Sequence, residues 1–152
     1  MSIDEASERV RELMERILDQ TDVDAGVEIR IEDEGLVGEY VGDDVGRLIG
    51  RHGETIDAIQ HLAYRFATRG DGDRVPVVVD ADGYRARRAE TLCQAADQAA
   101  QAAVTEGRPV AMESMSALER KVIHEHLKVR RDIETYSEGQ EPTRHLVVAP
   151  LV

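Results

Sequence analysis

Two short stretches of the chain set cationic side chains at spacings suited to holding an anion. In the first, Gly50-Arg51-His52-Gly53, two glycines flank two basic side chains. Glycine admits positive φ and lets a ligand come close to the backbone. The helix expected after Gly53 would point its first N–H groups outward, where its dipole favours negative charge. Arg51 and His52 add donors that can reach phosphate oxygens. In the second stretch, Arg120-Lys121-Val122-Ile123-His124, the Arg and His stand at i and i+4 and so share one helix face. Such a pair can grip phosphate oxygens or stack on a base. Val122 and Ile123 fall off that face and can pack inward. Each stretch also has a plainer reading: a glycine-stopped turn, and a solvated i,i+4 pair.

The elements around these stretches decide between the readings. Ile3, Ala6, Val10, Leu13, Met14, Ile17 and Leu18 recur at helical spacing, which predicts an amphipathic helix over 3–20. VEIRIED and LVGEYVG alternate around the turn residues DEG, a β-hairpin signature with Val27, Ile29 and Ile31 on one face. VGRLIG reads as a short helix stopped by Gly50. A second helix follows Gly53, with Ile56, Ile59, Leu62, Ala63 and Phe66 on one stripe, an end at Gly70 and a DGD loop. VPVVVD is a strand with Pro76 near its start, where a missing N–H is tolerable. A glycine-flanked basic turn between two helices, after a hairpin and before a strand, is how a KH domain clamps about four nucleotides.

Residues 83–106 are rich in alanine and hold no Pro or Gly after Gly83, which predicts one long helix. Gly107 and Pro109 stop it, and residues 109–112 read as a strand. Ser114 or Ser116 can cap the helix that carries Arg120 and His124, with Glu119 completing a capping box. Strands at 133–137 and 144–149 flank the turn EGQEP. The order αββααβ, then αβαββ, gives an α+β chain of two small units, 1–82 and 83–152, connected by the long helix.

Composition narrows the function classes. Hydrophobic residues at 41% and charged residues at 33% fit a folded domain and exclude a disordered chain. The net charge of −12 excludes a uniformly basic sleeve, so an anion site must be a local patch. The acid is concentrated in residues 1–82, and VGRLIGRHG is an acid-free basic stretch within them. Only four Tyr and one Phe are present, which argues against an aromatic base-stacking sheet. A single cysteine, Cys93, fits a reducing cytosol and packing in an alanine stripe. No apolar run is long enough to span a membrane, and no leader segment is expected before the first helix. His61, His126 and His145 lack partners at ligand spacing, so no metal is expected. Phosphate-loop, nucleophile-elbow and zincin motifs are absent, so neither a cofactor nor an enzyme is expected. Tyr84, Arg85, Arg87 and Arg88 could extend a phosphate track, although a solvated face is the plainer reading of Arg87 and Arg88. Arg130 and Arg131 could touch a nucleic-acid backbone, and Tyr136-Ser137-Glu138 reads as a strand end.

The Arg-xxx-His helix is preceded by MESMS and followed by ETYSEGQEPTR. Together with LIGRHGETIDAIQHL, ERKVIHEHL and YSEGQEPTRHLVV, these segments resemble the Jag (KhpB) family of bacterial RNA-binding proteins over residues 25–150. The resemblance implies a bacterial-type (type II) KH domain followed by a domain with the Arg-xxx-His signature. It implies RNA binding by Gly50, Arg51, His52 and Gly53, and by Arg120 and His124 with Lys121 and Arg144 extending their basic face. It further implies a cytoplasmic regulator of gene expression, envelope growth and division, with a small single-KH-domain protein as partner. No segment corresponds to the N-terminal Jag domain that many members carry. Single-stranded DNA as ligand and a protein-interaction adaptor are the alternatives.

Overall fold

The computed structural model describes residues 2–33, 35–68 and 74–151. They fall into two units, Met1–Arg85 and Ala86–Val152. The first opens with α1 (Ile3–Thr21). Its N-cap is Ser2, whose Oγ accepts the Glu5 N–H at 3.2 Å, and Asp4 and Glu5 place acid in the first turn, where the dipole favours it. β1 (Gly26–Glu32) and β2 (Gly35–Val41) form the antiparallel hairpin, with Gly26 opposite Val41. Then come α2 (Gly46–Ile49), one 3-10 turn over Arg51–Gly53, and α3 (Glu54–Ala67). β3 (Val77–Ala81) returns parallel to β2, Leu36 opposite Val77, in a sheet ordered β1-β2-β3. Parallel neighbours require a crossover, and α2, the turn and α3 supply it.

Ala6, Val10, Leu13 and Met14 of α1 meet Leu36 and Tyr40 of β2 and Ile56, Ile59, Ala63 and Ala67 of α3 in one core. Tyr40 is fully buried, and its hydroxyl donates to the Met14 carbonyl at 3.0 Å, tying the sheet to α1. Burial pushes the phenol well above its usual pKa. The apolar stripe of α3 is narrower than its pattern suggests. Leu62 and Phe66 are each 47% exposed, because the face toward the core runs through Ile56, Ile59, Ala63 and Ala67. Ile31 is likewise exposed, near the end of β1, whereas Val27 and Ile29 pack partly against the core. The expected helix end at Gly70, the loop at 71–73 and Glu34 of the hairpin turn lie outside the described residues.

α4 (Tyr84–Glu106) starts within the first unit's last residues and supplies the long helix of the second. β4 (Val110–Ser114), α5 (Ala117–Leu127), β5 (Ile133–Glu138) and β6 (His145–Pro150) follow. Their sheet has the order β4-β6-β5, with both neighbours antiparallel to β6. Leu92, Ala96, Ala99, Ala100 and Ala103 make one buried stripe on α4, against Ile123, Leu127, Ile133, Leu146 and Val148. Their i, i+4, i+7, i+8 recurrence is the inward face of an amphipathic helix, and alanine lets its backbone approach closely. The chain is thus α+β, with the element order read from its periodicity. Replacing Tyr40 with Phe removes the buried hydroxyl bond and is expected to lower the unfolding free energy by about 1 kcal/mol, read from the urea midpoint.

Candidate nucleic-acid interface

The Gly50–Gly53 turn owes its shape to residues without a Cβ. Gly50 adopts φ 73° and ψ −179°, a region that is essentially glycine-only, and a Cβ there would lie 2.2 Å from Thr55 Oγ1. Gly53 adopts φ 80°, and a Cβ on it would lie 2.9 Å from the Tyr84 ring. Between them His52 is left-handed at φ 55°, which costs an L-residue about 1 kcal/mol, though histidine tolerates it better than most. The turn therefore directs Arg51 and His52 outward. Both are exposed, and neither makes a hydrogen bond or ion pair with a described residue. Gly53 is the N-cap of α3 and brings no side chain to its opening N–H groups. Arg47, on α2 just before the turn, is exposed as well. Four expected residues thus form one turn with an open helix start and two outward basic side chains.

In the second unit Ser116 caps α5, its Oγ accepting the Glu119 N–H at 3.2 Å. The Glu119 carboxylate receives Arg88 Nε at 2.9 Å and Nη2 at 3.2 Å. That forked pair claims the carboxylate expected to complete a capping box, and it corrects the reading of Arg88 as solvated. A hollow of about 390 Å³ lies between α5 and β5, lined by Ala117, Arg120, Lys121, His124, Thr135, Tyr136, Ser137 and Leu146. Arg120 and His124 share this face, as their spacing predicts, but they do different things. His124 is exposed and its Nδ1 is 2.6 Å from Thr135 Oγ1, which orients the ring. Lys121 is exposed and forms no ion pair with a described residue.

Arg120 does not behave as a surface cation. It is 8% exposed, and its Nη1 donates to the Met115 carbonyl at 2.7 Å and more weakly to the Arg144 carbonyl at 3.5 Å. Its Nη2 donates to Glu141 Oε1 at 2.6 Å. The guanidinium thus ties the start of α5 to the turn before β6, and its charge is already matched. Arg144 is committed in a similar way, with Nη1 donating to the Gly139 carbonyl at 2.5 Å and Nη2 to the Ser137 carbonyl at 3.5 Å. Arg120 therefore builds part of the hollow's wall with its charge matched by Glu141, whereas Arg144 lies outside the lining and bonds only neutral carbonyls. Tyr136, read from sequence as a strand end, instead stands 45% exposed at the hollow's edge. Period-two alternation in β5, with Ile133 buried and Glu134 exposed, is the signal that could have placed it outward. Arg130 is also taken up: it holds Asp132 through two bonds of 2.9 and 2.7 Å, and keeps that carboxyl below its usual pKa. Among the described residues no group of three or more His, Cys, Asp or Glu could hold a metal ion, and no helix is long and apolar enough to cross a membrane.

Two stability changes follow. Arg120→Ala leaves the Met115 carbonyl without its donor while the exposed Glu141 is rehydrated, and is expected to cost about 2 kcal/mol in urea unfolding, whereas His124→Ala should stay within about 1 kcal/mol. His52→Gly relieves the left-handed residue and is expected to raise stability by up to about 1 kcal/mol.

Residues 7–79 match the family model described as KhpA/KhpB, KH domain, and residues 90–150 match that of the domain named for the Arg-xxx-His signature. The chain is 42% identical over 104 residues to RNA-binding protein KhpB of Lactiplantibacillus plantarum, covering 68% of this chain and 32% of that one. It is 34% identical over 140 residues to RNA-binding protein KhpB of Clostridium symbiosum, covering 91% and 63% respectively. To that of Bacillus subtilis it is 36% identical over 110 residues, covering 71% and 53%. The chain thus spans less than two thirds of the length of these relatives. The glycine-pinned turn lies within the first match and the Arg-xxx-His helix within the second, and the chain belongs to the KhpB/Jag family.

Proposed function

We propose that this protein binds single-stranded RNA through two separate surfaces, one on each unit, and performs no catalysis. The observation that carries this reading is the Gly50–Gly53 turn: two unengaged basic side chains beside an uncapped helix start, in a chain that is otherwise acidic. Phosphates would take the Arg51 and His52 side chains and the first N–H groups of α3. On the second unit, Lys121 and His124 would contact phosphate, and Tyr136 would offer its ring to a base. Arg120 would serve by shaping that hollow. The family relatives, each named as an RNA-binding protein, support RNA as the ligand. The finer reading is a cytoplasmic post-transcriptional regulator of envelope growth and division, working with a small single-KH-domain protein. Its support is the family resemblance. The domains are proposed to divide near residue 82.

An acidic body repels polyanions at long range, so affinity should rest on these few groups and fall steeply with salt. Arg51→Asp with His52→Asp is expected to weaken binding of a fluorescent oligouridine at least about tenfold, since phosphate contacts are replaced by repulsion. Lys121→Ala with His124→Ala is expected to lower the slope of log K against log salt by about 0.7 for each cation taken away from a phosphate. Unchanged affinity in the first variant would remove the turn from the reading. An unchanged slope in the second would remove the hollow. A DNA oligomer of matching sequence that binds as tightly as RNA would favour the single-stranded DNA alternative.

A further inference from the structure

The turn is backed by the chain segment that leaves β3. Tyr84 presses its ring against Gly53, within 2.9 Å of where a Cβ would stand. Next to it, Arg85 makes three bonds that reach three different places. Its backbone N–H donates to Asp80 Oδ1 at 3.2 Å, its Nε to the Val79 carbonyl at 2.9 Å, and its Nη1 to Asp57 Oδ1 at 2.9 Å. Asp57 lies in the first turn of α3, the turn that begins at Gly53. A bare carboxylate there would cancel the helix-start field that an anion would use. The other acid of that turn, Glu54, is exposed and screened by water. Both partners of the Arg85–Asp57 pair are only partly exposed, so solvent screens their charges less.

We propose that Arg85 is a positioning residue for nucleic-acid binding by the first unit: it neutralises Asp57 behind the Gly50–Gly53 turn and so leaves the turn net positive. This rests on the reading of that turn as a binding site. The carboxylate alone serves the helix and opposes the ligand. With the guanidinium attached it continues to serve the helix and ceases to oppose the ligand. The same residue also fastens β3 to α3, so the field at the turn depends on the strand that follows it.

The test uses the full chain and a fluorescent oligouridine, titrated at low and at high salt. Arg85→Ala is expected to weaken binding about two- to fivefold at low salt, the range of a charge at a helix end, and less at high salt. Asp57→Asn in the same chain should restore the affinity, because it removes the charge that Arg85 offsets. Arg85→Lys, which keeps the charge, should stay within about twofold of the parent. A merely structural role predicts the reverse pattern: a loss independent of salt, not recovered by Asp57→Asn. That pattern, or unchanged affinity in Arg85→Ala, overturns the proposal. The paired Arg51→Asp, His52→Asp variant separates the two levels. If it binds normally, the binding-site reading fails and this proposal falls with it. If it loses binding while Arg85→Ala does not, only this proposal falls.

Discussion

The Gly50–Gly53 turn is held from beneath at both glycines, by Thr55 under Gly50 and by the Tyr84 ring under Gly53. Neither contact tolerates a Cβ, so the backbone can come this close only because these residues are glycine. The consequence is a turn whose conformation is settled before any ligand arrives. Between the glycines, the left-handed His52 stores a small strain that its neighbours enforce. A preformed turn loses little conformational entropy on binding, which matters where only two side chains carry the contact. The rest of the first unit, with α1 docked by Tyr40 and β3 placed beside β2, holds those two supports in place.

Acids outnumber Lys and Arg in this chain by 31 to 19, and the structure commits many of the cations internally. Arg30 pairs with Glu32 and Glu39, Arg85 with Asp57, Arg88 with Glu119, Arg120 with Glu141 and Arg130 with Asp132. The exposed ones among these pairs stabilise little, but a guanidinium in any of them no longer attracts a phosphate at full strength. Arg47, Arg51, His52 and Lys121 stand apart from that pattern, as do Arg65, Arg74 and Arg131, none of which pairs with a described acid. The division explains how an acidic protein can carry an anion site. The body discourages loose association with polyanions, and among the exceptions Arg51 sits in the turn of the first unit and Lys121 at the hollow of the second.

Periodicity alone is enough to read the element order, because α1, the hairpin, α3 and α4 each carry a strong and unbroken pattern. The turn is legible too, since paired glycines around basic residues between helices admit few shapes. Arg120 is not. Its i,i+4 spacing with His124 correctly predicts a shared face, yet spacing says nothing of how deep each residue sits. Depth is set by Glu141 and by the carbonyls of Met115 and Arg144, up to 24 residues away in sequence. Glu119 shows the same limit: its place in a capping box is a local expectation, and Arg88, 31 residues away, takes the carboxylate instead. Leu62 and Phe66 fall outside the core because a helix stripe drawn from hydrophobicity is wider than the strip a three-stranded sheet and one helix can cover.

The parallel alignment of β3 with β2 has a further consequence, for the order of events in folding. The hairpin can close on itself early, since its strands are neighbours in sequence. The turn cannot, because it lies inside the crossover between β2 and β3, and Tyr84 reaches Gly53 only after β3 has docked. Loop-closure entropy opposes that docking until its contacts are made. During synthesis, the basic turn leaves the ribosome well before the strand that shapes it. A nascent chain therefore displays Arg51 and His52 without their geometry, and acquires the binding shape of the turn only once the start of α4 has emerged.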